Sequence, residues 1–154
     1  MKIIVAFDGT NSSINALKYA LDLKNSTDSY LIMYSITESK VIPPYFGEYS
    51  GDFFNEMVEK DEETAESVMD MAVQIAKKQG VTPNVEIVDM PGEDTADTIL
   101  KTAYKFKADM IVMGMRRLGR VEKFILGSVS SKVIQNSRIA VMVAPPKAEE
   151  AEKK

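Results

Sequence analysis

Cysteine, histidine and tryptophan are all missing from the 154 residues. Without cysteine there is no disulfide, no thiolate nucleophile and no sulfur ligand for zinc. Without histidine the chain loses the commonest general base near neutral pH and the commonest metal ligand. Hydrolase triads built on a nucleophile and an imidazole base are therefore excluded. Long apolar runs are missing too: none approaches the roughly 18 residues of a membrane span, so no membrane partner is expected. There is no surplus of positive charge. Nineteen Lys and Arg stand against 23 Asp and Glu, a net charge of −4, which argues against general nucleic-acid binding. Met1-Lys2 leads straight into an apolar run with no signal-peptide pattern, and the expected location is the cytoplasm.

Hydrophobic residues make up 45% of the chain and charged residues 27%, the balance of one soluble domain with a real core. Short apolar runs at Lys2–Phe7, Tyr30–Ile36, Val85–Met90, Asp109–Met113 and Ile139–Val143 read as strands, the first of them buried on both faces. Helical periodicity fills the intervals. The first helix runs to about Lys24, with Ile14, Ala16, Leu17, Ala20, Leu21 and Leu23 on its apolar face and Asn11 or Ser12 as its cap. A long second helix spans Asp52 to about Gln79, with a stripe of Val58, Ala65, Met69, Ala72 and Ala76 and a Gly80 stop. Its acidic first half reads as a solvated face rather than a metal site. A third helix starts at Glu93 or Asp94 and ends near Phe106. A fourth spans Ser128 to Asn136, with Ser128 a candidate N-cap. Between Glu38 and Gly51 lies a Pro- and Gly-punctuated loop carrying Tyr45, Phe46 and Tyr49, read as a cover over its own helices, a lid or a partner patch. Alternation of strand and helix predicts an α/β fold: one domain over 1–146, a doubly wound parallel five-stranded sheet with helices on both faces, and a charged tail at 147–154.

Ligands on such sheets sit beyond the carboxyl ends of the strands, where strand order reverses. The stretch Ala108–Ser131 has the parts of a phosphate site: a strand, Gly114, a basic loop with Arg116, Arg117, Arg120 and Lys123, then Gly127-Ser128 opening a helix. Gly114 and Gly119 have Walker A spacing, but Arg120 and Val121 stand where that motif needs Lys and Ser or Thr. No G-x-G-x-x-G follows any strand, so a classical dinucleotide site is not expected.

These residues resemble the universal stress proteins over nearly the whole chain. V-A-F-D-G-T matches that family's first strand and acidic residue, A-D-M-I-V-M-G its fourth strand, and G-S-V-S-S-K-V-I its last helix start. The ATP-binding branch carries G-x2-G-x9-G-(S/T), which Gly114 and Gly127-Ser128 match, with Arg117 in place of the second glycine. The resemblance implies a Rossmann-like site for ATP, or for AMP or ADP, with Mg2+ as a companion of the phosphates. Ala6, Phe7 and Asp8 would meet adenine and ribose, and Ser35 would offer backbone to the adenine. Met113 and Gly114 would line the ribose and phosphate side, and Gly127, Ser128, Val129 and Ser130 would hold the phosphates. Arg117 would either clamp phosphate or fill the pocket. The resemblance also implies a homodimer paired through the terminal strand Ile139–Val143. The function implied is an adenine-nucleotide-binding stress or signalling module, with slow ATP hydrolysis at most, no catalytic residues and no metal ligands from protein. The alternative is a dimeric interaction module that binds no nucleotide. An enzyme using Asp8 or an arginine stands behind both on fold analogy alone.

Overall fold

Alternate residues of β1 (Lys2–Ala6) enter two different cores. Ile3 and Val5, with Phe7 just beyond, join one cluster; Ile4 joins the other. This is the period-two alternation of a strand covered on both faces. The computed structural model describes residues 1–36, 51–115 and 126–145, and only the backbone over 51–63. The loop at 38–50, the stretch 116–125 and the tail from 146 onward lie outside the described residues, as does the side chain of Val58.

The remaining elements are α1 (Asn11–Asp22), β2 (Ser29–Ile36), α2 (Gly51–Lys78), β3 (Asn84–Asp89), α3 (Thr95–Phe106), β4 (Met110–Gly114), α4 (Ser128–Asn136) and β5 (Ala140–Ala144). All pairings are parallel, in the order β3-β2-β1-β4-β5. The doubly wound sheet expected from the alternation is present. Helices α1 and α2 cover one face through Ala16, Leu17, Ala20, Leu21, Met69, Ala72 and Ala76. Helices α3 and α4 cover the other through Ala96, Ile99, Leu100, Ala103 and Val133.

Helix ends follow local chemistry, with some corrections. The N-cap of α1 is Thr10, not Asn11 or Ser12; its side chain accepts from the Ser13 N–H. Asp8 explains the choice. Its Oδ1 accepts from the Thr10 N–H at 3.0 Å and from the Thr10 hydroxyl at 2.6 Å, so the turn closes one residue earlier. Leu23, expected on the buried face, is 65% exposed because α1 ends at Asp22 and Leu23 is its C-cap. Gly51 belongs to α2 rather than to the loop before it. Gly80 does end α2, at φ 75°, with its N–H on the Lys77 carbonyl and the Val81 N–H on that of Ala76. Asp94 caps α3 through the Asp97 N–H at 2.8 Å.

Strands β1 and β4 are central neighbours, paired Ile3 to Met110 through Val5 to Val112. Beyond them, β4 meets the start of α1 at very short range. The Ser12 hydroxyl donates to the Met115 carbonyl at 2.7 Å. A Cβ on Gly114 would stand 2.3 Å from both the carbonyl oxygen and the hydroxyl of Ser12. One of those atoms is backbone and cannot rotate away. Gly114→Ala is therefore expected to destabilise the fold by about 2–3 kcal/mol, the upper range for overpacking, measured as a shift in urea midpoint. A loss below about 0.5 kcal/mol would show that this approach is not tight in solution.

Candidate functional site

The reversal of strand order between β1 and β4 leaves a crevice beyond their carboxyl ends. A cavity of about 800 Å³ opens there. Ala6, Phe7, Asp8, Ser35, Met113, Gly114, Gly127, Ser128, Val129 and Ser130 all line it. Arg117 is outside the described residues. Phe7 lines the cavity although the residue is only 2% exposed and belongs to the α1/α2 core. Thr10, Ser12, Ser13, Met33, Tyr34, Thr95, Ile99 and Leu126 line it as well and were not anticipated. Thr10, Ser12 and Ser13 could have been found, because they share the turn that Asp8 opens. Thr95, Ile99 and Leu126 arrive from other elements and carry no local signal.

The walls are of two kinds. Met33, Ile99 and Met113 are buried members of the α3/α4 core, with Ala6 packed against them. The other wall comes from the β1–α1 turn and the start of α4, and is lined with hydroxyls and backbone. Asp8 is the only carboxylate among the described lining residues. An ionised carboxylate only accepts hydrogen bonds and repels anions, so its side of the cavity suits donors such as sugar hydroxyls.

Helix α4 supplies the opposite polarity. Its N-cap is Gly127, not Ser128, at φ −68° and ψ 170°, with no side-chain cap bond. The first N–H groups of any α-helix lack intrahelical partners. In α1 and α3 the cap residue's side chain meets one of them; in α4 the cap, Gly127, has no side chain to do so, and no described side chain bonds them. No described residue comes within 4 Å of a Cβ built on Gly127, so none of them requires glycine there. Gly114 is the reverse case, its missing side chain demanded by Ser12.

Lys132, one turn further along α4, ties this helix to the start of α3. Its ammonium bonds Asp94, and Asp97 at 3.1 Å. The Lys132 hydrogen bond, then the Asp97 N–H, hold the Asp94 carboxyl below its ordinary range. Asp94 and then Asp97 push the Lys132 ammonium up. The single ammonium offsets one of two negative charges at the start of α3, where Thr95 lines the cavity. No group of three or more His, Cys, Asp or Glu capable of holding a metal occurs among the described residues. No helix among them is long and apolar enough to cross a membrane.

An open parallel sheet with helices on both faces and a crevice at its switch point defines the doubly wound α/β class. The chain belongs to the universal stress protein family, whose family model matches residues 1–145. A universal stress protein of Thermus aquaticus is 33% identical over 141 residues, covering 92% of this chain and 96% of the relative. A solved structure described as a test case for structure-based assignment of biochemical function aligns at TM-score 0.77 and 25% identity, covering 96% of each chain. A family protein from Arabidopsis thaliana, solved with AMP bound, aligns at TM-score 0.69 and 18% identity over 100% of this chain and 97% of that one. The Archaeoglobus fulgidus universal stress protein in complex with dAMP aligns at TM-score 0.64 and 22% identity, over 94% and 97%.

The Asp94–Lys132 contact has a defined pH signature. A depressed carboxyl contributes stability above its unfolded value, about 3.9, and loses it as pH falls through the folded one. A raised ammonium contributes below about 10.4 and loses it as pH rises through its folded value. Asn caps helices as well as Asp does, so Asp94→Asn removes the charge and keeps the cap. The variant should melt below the parent at pH 7, and the gap should close below about pH 4. Thermal melts across that range test it; a gap independent of pH would show that the charge contributes nothing, as at many exposed pairs.

Proposed function

We propose that the cavity binds an adenine nucleotide, ATP or its diphosphate or monophosphate, and that binding rather than turnover is the activity. The observation that carries this is the start of α4: an uncapped helix end facing a cavity whose other wall is apolar. Such an end carries about half a positive charge and free N–H donors, and it accepts phosphate. Ser128, Val129 and Ser130 would hold the phosphates, with Gly127 letting them approach. The ribose hydroxyls would meet Asp8, and the base would lie on the Ala6, Met33 and Met113 side, near the backbone of Ser35. The volume lies within the roughly 300–1,000 Å³ of small-molecule sites. Solved proteins of this fold that hold AMP and dAMP support the reading. Magnesium would ride on the phosphates. With no histidine or thiol in the chain, no base is apparent for activating water, and hydrolysis would be slow at most.

The second part of the proposal concerns assembly. Among the described residues β5 pairs with β4 alone and forms one edge of the sheet. Val141, Met142 and Val143 on it are only partly buried. An apolar edge of this kind invites pairing, and a two-fold copy across the terminal strand would cover it. Sedimentation at micromolar concentration should give twice the monomer mass, and a monomer alone would refute the pairing.

Nucleotide released from the denatured protein, identified by mass spectrometry, together with titration of ATP and AMP, tests the site. No released nucleotide and no affinity at millimolar ATP would overturn it. Gly127→Val should weaken binding by at least tenfold, as a side chain entering the phosphate approach removes about 1.4 kcal/mol or more. Arg117→Gly should tighten binding if Arg117 obstructs the site and weaken it if Arg117 clamps phosphate.

A further inference from the structure

Among the described residues, one buried side-chain polar atom has no hydrogen-bond partner: the Oγ of Ser35. Three hydroxyls of the β1–α1 turn beside the cavity are engaged. Thr10 donates to Asp8, Ser12 to the Met115 carbonyl and Ser13 to the Thr10 carbonyl. A buried hydroxyl left alone is destabilising, and native structures rarely keep one without a use.

Its position indicates the use. Ser35 follows Met33 by two residues on β2, so strand alternation puts both side chains on the α3/α4 face. Its cross-strand partner Val88 is buried in the cluster on that same face. Met33, Ile99 and Met113, from that cluster, line the cavity with Ser35. The unpartnered hydroxyl therefore stands among Met33, Ile99 and Met113, in a wall whose other polar group on α3 is Thr95, one turn before Ile99. A phosphate would lose its hydration there with no cation among the described lining residues to replace it, and a sugar would leave most of its hydroxyls unmet. A flat heteroaromatic ring fits: its faces lie against aliphatic and thioether groups, and its edge offers a nitrogen or an amine.

We propose that the Ser35 hydroxyl reads the base, forming a hydrogen bond with the polar edge of a purine held against Met33, Ile99 and Met113. This rests on the nucleotide reading of the cavity. It assigns to the side chain a recognition role beyond the backbone contact.

Ser35→Ala tests it with a two-sided readout. Deleting an unpartnered hydroxyl should raise the melting temperature of the ligand-free protein, by about 1–4 °C. The same change should weaken AMP binding by about three- to tenfold in calorimetry. Ribose 5-phosphate, which has no base, should bind both proteins equally or neither, followed by NMR shifts of the α4 amides. Unchanged AMP affinity in the variant would overturn the inference while leaving the nucleotide site standing. Equal losses for AMP and ribose 5-phosphate would also overturn it, moving the contact to the sugar. A lower melting point would show that the hydroxyl serves the fold. If the unaltered protein binds neither compound, the nucleotide reading fails and the inference fails with it.

Discussion

The close approach of Gly114 to Ser12 is the constraint on which the crevice depends. It joins the end of β4 to the start of α1 with almost no space between them. Because β1 and β4 are the strands between which the order reverses, this contact fixes one wall of the opening beyond them. The Asp8–Thr10 turn then sets where α1 begins, and the Lys132 contacts set how α4 stands against α3. Each is a short polar contact at an element end. Together they hold loops at the carboxyl edge in place, while the two apolar clusters hold the strands behind them.

The elements themselves were legible because their signals are local. Apolar runs, the inward row of Ala96, Ile99, Leu100 and Ala103, the Asp94 cap and the Gly80 stop each depend on neighbours within a turn or two. The same holds for the gathering of Asp8, Met113, Gly114 and Gly127, since strand alternation fixes which edge the loops share. Contacts between distant residues were not legible. Gly114 looked like a glycine kept for an anion, yet its partner is Ser12, 103 positions from the Met115 carbonyl that the same serine bonds. Thr10 displaced Asn11 and Ser12 as a cap because of where the Asp8 carboxylate turns, which composition does not reveal. Leu23 fits the apolar pattern and falls outside because the helix ends one residue earlier.

Two local rules are broken at the cavity. A helix begins without a side-chain cap, and a hydroxyl is buried without a partner. Departures of this sort tend to fall where function competes with folding. Neither is forced by packing among the described residues: none of them crowds Gly127, and Ser35 stands on a strand that an apolar residue would suit equally well.

The uncapped start of α4 therefore links binding to the fate of the whole chain. Under the nucleotide reading, the ligand meets α4 only in the folded state, since the unfolded chain has no helix end to offer. Mass action then stabilises the folded form by RT ln(1 + [L]/Kd), about 2.7 kcal/mol when ligand is a hundredfold above Kd. For a domain of ordinary marginal stability, that is a large fraction of the total. The population open to proteolysis would then rise and fall with the ligand, making the amount of intact protein itself a gauge of ligand supply.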